Sequence, residues 1–124
     1  MTVSELVDEV RGNLAGLESV WEASIRDAYA FYRDRARPQV AFAAALVESA
    51  MELQDLGRRA PKAPRLLLGD LCLARASRLL AETRDTTLQV AFAHAVERVA
   101  AEAAGGPPAQ ALRELLVAAI SGHR

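Results

Sequence analysis

The chain has one cysteine, Cys72, one lysine, Lys62, two histidines and six aromatic residues among 124 residues. Each scarcity removes a class of protein. A lone cysteine rules out an intramolecular disulfide and a cysteine-based zinc framework. The longest uninterrupted apolar run, "VAFAAALV" at 40–47, is eight residues, far short of the ~20 that a membrane-spanning helix needs. The start, "MTVSELVDEV", is acidic where a secretory signal would be basic and then apolar. A cytoplasmic chain is therefore the expectation. The formal charge is −1, so there is no excess of either sign to draw the chain to nucleic acid or to an anionic membrane. With 52% hydrophobic and 25% charged residues, the composition is that of a globular protein. The length predicts a single domain over residues 1–124 with a substantial buried core.

Apolar residues recur at spacings of three and four throughout, and no stretch alternates over a strand's length. The expected fold is an all-α bundle of about six helices with short connections. Thr2 and Glu5 stand at capping-box spacing before a stripe of Val3, Leu6, Val7, Val10, Leu14 and Leu17. A second segment carries Val20, Trp21, Ser24, Ile25, Ala28, Phe31 and Tyr32 and stops near Arg37, because Pro38 disfavours helical geometry in its predecessor. Pro38 then opens the third segment, "PQVAFAAALVESAMELQDLG". That segment is apolar almost all round, so it should be the central helix, with Gly57 as its C-terminal cap. "RRAPKAPR" at 58–65 reads as a proline-interrupted basic loop. A fourth helix follows at 66–85, and a fifth begins near Asp85 or Thr86. "GGPP" at 105–108 separates it from a sixth bearing Leu112, Leu115, Leu116, Ala119 and Ile120. There is no internal repeat.

Few residues invite chemistry. Cys72 lies on an apolar stripe with Leu68, Leu71 and Leu79, which makes it a core residue and not a reactive thiol. His94 reads as a helix-surface or interface residue without the Glu-x-x-His pairs of a di-metal bundle, and His123 sits near the C-terminus. Glu48, Glu52 and Asp55 fall at i, i+4 and i+7, on one helix face; three carboxylates from one helix rarely hold a cation, so they should form its solvated edge. Arg58, Arg59, Lys62 and Arg65 could meet a diphosphate, although a solvated basic loop explains them as well without a glycine-rich cradle. No catalytic residue, metal ligand or cofactor is assigned from these residues.

The most specific stretch is "LLLGDLCLARASRLLAET" at 66–83. It resembles the "LLGD-x-LLARA-x-x-LLAE" helix of trans-polyprenyl diphosphate synthases, with Gly69, Asp70, Leu73, Ala74, Arg75, Ala76, Leu79, Leu80, Ala81 and Glu82 in register. "AFAHAVERVAAE" at 91–102 is similar to the family's next helix, "RARP" at 35–38 to its "GKRLRP" element, and "SAMELQDL" at 49–56 to the helix ending in "LLHDD". The resemblance covers residues 35–104 and implies an all-α, truncated isoprenoid-synthase-like fold.

The departures matter as much. Where the family carries a DDxxD motif for magnesium, this chain reads "QDLGRRA": Asp55 is aligned with the first aspartate, but Leu56 and then Arg58 or Arg59 stand where others belong. One carboxylate cannot hold a magnesium cluster against a leaving diphosphate. No second aspartate-rich motif occurs in the 124 residues. The resemblance thus implies a noncatalytic small subunit of a heteromeric polyprenyl diphosphate synthase, influencing product length in isoprenoid biosynthesis. Its partner would be a catalytic subunit, and the alternative is a self-associating helical protein, a homodimer. A small-residue strip of Gly69, Asp70, Ala74, Ser77 and Ala81 is the expected partner interface. Ala44, Val47 and Met51, aligned just upstream of Asp55, would line the chain tunnel or else fill the core.

Overall fold

The computed structural model describes residues 2–54, 63–102 and 109–121. They form an all-α helical bundle, with no strand among them. Helix α1 (Val3–Val10) opens with the expected capping box: Glu5 N–H donates to Thr2 Oγ1 at 3.1 Å, and Thr2 N–H to Glu5 Oε2 at 3.1 Å. A 3₁₀ turn (Arg11–Asn13) follows, then a corner at Gly16, whose φ of +82° suits glycine. A Cβ there would also stand 3.1 Å from Leu71. The corner is pinned to the helix behind it by Arg75, whose Nη1 donates to the carbonyls of Asn13 (2.8 Å) and Ala15 (2.6 Å).

The second expected segment is one continuous rod with a defect. Helix α2 (Glu18–Val20) passes into a π-helical turn (Trp21–Ile25) and then α3 (Arg26–Arg33). Such a turn carries one extra residue per turn, and here it lets Trp21, Ile25, Ala28, Tyr29 and Tyr32 all point inward. The indole N–H of Trp21 is buried with no hydrogen-bond partner among the described residues.

Helix α4 (Pro38–Gln54) begins at Pro38, as expected, but its predecessor α3 already ends at Arg33, four residues before the stop expected near Arg37. Every residue from Val40 to Ala50 is buried, so α4 is the axis of the bundle and presents no solvent-facing side over three turns. Helix α5 (Ala63–Glu82) lies along it and α3 flanks it. Helix α6 (Thr86–Glu102) starts from Asp85, which caps it by accepting the Leu88 N–H at 3.0 Å. Helix α7 (Ala109–Ile120) packs on α6 and α4 through Leu112, Leu116 and Ile120. Among the described residues, no helix is long and apolar enough to cross a membrane.

One boundary needs correction. The basic stretch 58–65 was expected to be loop to its end, but Ala63, Pro64 and Arg65 already belong to α5. Proline is tolerated there because the first turn of a helix has no N–H acceptor to lose. Gly57, Arg58, Arg59 and Lys62 lie outside the described residues, as do Asp55, Leu56 and His123.

Candidate functional site

The densest polar chemistry sits between α3, α4 and α7. Glu48, buried at the middle of α4, takes hydrogen bonds from Arg113 Nε (2.8 Å, to Oε1) and Nη2 (2.5 Å, to Oε2). The Tyr32 hydroxyl donates to the same Oε1 at 2.8 Å. Carboxylate and guanidinium thus meet in the two-pronged geometry that makes such pairs strong. The hydrogen bonds to Glu48 hold the Arg113 guanidinium even more firmly charged than usual, while burial and the adjacent Glu48 keep the Tyr32 phenol protonated. Phe31 lies beside this pair with two guanidinium carbons close to its ring centre, Arg35 at 3.9 Å and Arg113 at 4.2 Å.

This corrects the expectation that Glu48 lies on a solvated edge. Glu48 is 6% exposed, and what permits its burial is a cation supplied from α7, 65 positions along the chain. Its neighbour Glu52 is exposed and accepts a hydrogen bond from the Ser24 hydroxyl at 2.8 Å. Since the Ser24 hydroxyl already donates to Glu52, the 2.9 Å contact between Ser24 and Ser49 is completed by the fully buried Ser49 hydroxyl donating to Ser24. Both described carboxylates of α4 are therefore engaged within the fold. No group of three or more histidine, cysteine, aspartate or glutamate side chains among the described residues could hold a metal ion.

A second polar cluster ties α1 to α3. Glu9 accepts from Arg33 Nε and Nη2 at 3.1–3.2 Å and from the Tyr29 hydroxyl at 2.8 Å. Burial acts against the charged carboxylate, but the Arg33 and Tyr29 hydrogen bonds outweigh it, and the Glu9 carboxyl is held below its ordinary value of 4.5. A carboxyl depressed by folding lends stability at neutral pH that disappears as pH falls through the folded-state value. Thermal melts taken from pH 7 downward are expected to show part of the acid destabilisation below pH 4.5, and Glu9→Gln should flatten that part of the profile. Identical acid profiles for the two proteins would contradict this assignment.

The remaining sequence candidates resolve as follows. Cys72 is fully buried, and burial pushes its thiol up to about 11, with Arg75 opposing more weakly, so it is a core side chain and a poor nucleophile. His94 is exposed on α6. Ala44 and Val47 lie in the hydrophobic core, and Met51 is half-buried against it. Arg65 turns back to donate to the carbonyls of Glu52 (3.0 Å) and Leu53 (3.1 Å), closing the C-terminal end of α4. It serves as a cap to a neighbouring helix, a role its place in a basic run did not suggest.

The expected interface strip divides. Gly69 does not join it: it is buried on the inner face of α5, where a Cβ would fall 2.8 Å from Gln54 Cγ. The reason is angular, since Gly69 lies on the side of Cys72, Ala76 and Leu80, which all face α4. Asp70, Ala74, Ser77 and Ala81 do share an exposed outer face. Leu66 and Leu67, 40% and 69% exposed, continue it toward the start of the helix.

Comparisons with family models, with curated proteins and with solved structures give no match for this chain. The class the geometry defines is an all-α helical bundle with a half-buried ion pair between α4 and α7 and an open outer face on α5.

Proposed function

We propose that this chain is a noncatalytic assembly subunit that docks through the outer face of α5, and that its partner is a catalytic polyprenyl diphosphate synthase subunit. The observation that carries the reading is the two-sidedness of α5. Its inner face packs on α4, where the Gln54 side chain lies over Gly69 and would have to move to admit a Cβ, while its outer face offers small residues beside two exposed leucines. Small side chains let helix axes approach to the near end of the usual 8–10 Å range, which suits a helix with a neighbour on each side. The choice of partner rests on the resemblance of residues 66–83 to the prenyl synthase helix. The noncatalytic role rests on the engagement of Glu48 and Glu52 within the fold and on the altered aspartate motif.

The test mixes the purified chain with a full-length trans-polyprenyl diphosphate synthase encoded in the same genome, with magnesium, isopentenyl diphosphate and farnesyl diphosphate. The chain alone is expected to give no prenyl product, and the mixture a co-eluting complex with an altered product length. Product from the chain alone, or no complex with any such synthase, would overturn the proposal.

A further inference from the structure

Glu48, Tyr32 and Phe31 meet the Arg113 guanidinium from different sides, and all three stand on α3 or α4. The carboxylate takes both prongs of the fork. The Phe31 ring centre lies 4.2 Å from the guanidinium carbon, and that of Tyr32, set edge-on to Phe31 with centroids 5.0 Å apart, lies 5.8 Å from it. To these contacts α7 brings the guanidinium alone. We propose that this corner of α3 and α4 is a guanidinium-binding site in its own right, and that Arg113 is a ligand which the chain supplies to it.

The receiving half does not depend on the arm that fills it. Tyr32 is fully buried, and its hydroxyl donates to Glu48 Oε1 at 2.8 Å, so the carboxylate is fixed from within the α3–α4 pair. Arg35 lies 3.9 Å from the Phe31 ring centre and donates to the Phe31 carbonyl at 2.8 Å, which steadies the ring. The corner is also open to solvent: the Arg113 side chain is 37% exposed, so a small ion has a route to the carboxylate. Its chemistry selects a planar cation. Two parallel N–H groups match the two carboxylate oxygens while the flat face lies on an aromatic ring, and a compact ammonium cannot meet both demands at once. Because Leu112, Leu116 and Ile120 dock α7 independently of the arginine, Arg113 competes from within the folded bundle, and a dilute outside ligand is refused while it is there. The contact is self-inhibiting: the site recognises arginine, and the chain keeps it filled.

Removing the tethered ligand opens the site to a free one. Arg113→Ala titrated with methylguanidinium chloride is expected to regain part of its thermal midpoint, roughly 5 °C at about 10 mM for a dissociation constant of about 1 mM. Methylammonium chloride at the same concentrations controls for charge and salt and should give no such gain. Arg113→Ala combined with Glu48→Gln should not respond, and neither should the native chain, whose site is occupied. Arg113→Lys, which keeps the charge without the fork, should melt nearer to Arg113→Ala than to the native protein. The proposal is overturned if methylguanidinium leaves Arg113→Ala unmoved, acts no better than methylammonium, or stabilises the native chain equally. A lysine that replaces the arginine without loss would also overturn it, and that comparison decides the matter if Arg113→Ala stays unfolded with and without methylguanidinium.

Discussion

Arg113→Ala is expected to lower the thermal midpoint by roughly 6–15 °C. Breaking a fully buried ion pair by removing one partner costs about 3–5 kcal/mol; with the Arg113 side chain 37% exposed the loss falls to about 2–3 kcal/mol, and each kcal/mol corresponds to roughly 3–5 °C for a domain of this size. The two halves of the pair are not equivalent. Glu48 has 8% of its side chain exposed and Arg113 37%, so removing the arginine strands a carboxylate with only the Tyr32 hydroxyl, whereas removing the glutamate frees a guanidinium that reaches water. Glu48→Leu should therefore cost less than Arg113→Ala, and Glu48→Leu combined with Arg113→Met less than the sum of the separate changes. Differential scanning calorimetry of the four proteins checks the ordering. Equal losses for the two single variants would show that the buried carboxylate is not the governing charge.

Ala44→Phe is the second change with a large expected effect. Ala44 is completely buried and Val47 is 3% exposed, on the helix that forms the axis of the bundle. Forcing a ring into a filled core typically costs about 1–3 kcal/mol and occasionally more, and the cost should be greater at Ala44, where the added volume is larger, than in Val47→Phe. If these residues only fill the core, both variants lose thermal stability and, in the reconstituted complex with a prenyl synthase, leave product length unchanged. If they line a chain tunnel, the variants keep their melting temperature and shorten the products. Melts together with product chromatography separate the two outcomes, and the burial of Ala44 and Val47 favours the first.

Much of the fold was readable because its signals are local. The capping box at Thr2 and Glu5, the boundary at Pro38 and the start of α6 at Asp85 each depend on residues within four positions of one another. The centrality of α4 followed from its lack of a polar side. The errors share a different origin. The spacing of Trp21, Ser24, Ile25 and Ala28 fits an ordinary helix, and the extra residue of the π-helical turn becomes visible only when Tyr29 and Tyr32 are both seen to face inward. Glu48 looked like a surface carboxylate because its partner lies on a helix distant in sequence, and nothing near position 48 announces an arginine at 113. Gly69 was grouped with Ala74 and Ala81 by size, when its angular position places it with Cys72 and Ala76. The outer face of α5 was legible for the complementary reason, since exposed residues obey helical periodicity without reference to a neighbour.

The distance between Glu48 and Arg113 along the chain also sets a clock. During synthesis the segment that becomes α4 leaves the ribosome before its cation has been made, and 65 residues separate the two side chains. At about 5–20 residues per second, the carboxylate waits roughly 3–13 seconds for Arg113. Over that interval the apolar sides of α4 can be covered by α3 and α5, but Glu48 stays cheaper in water than in a dry interior. The nascent bundle therefore has to keep a wet flank until α7 arrives, and the same residue that locks the folded bundle holds the unfinished one open.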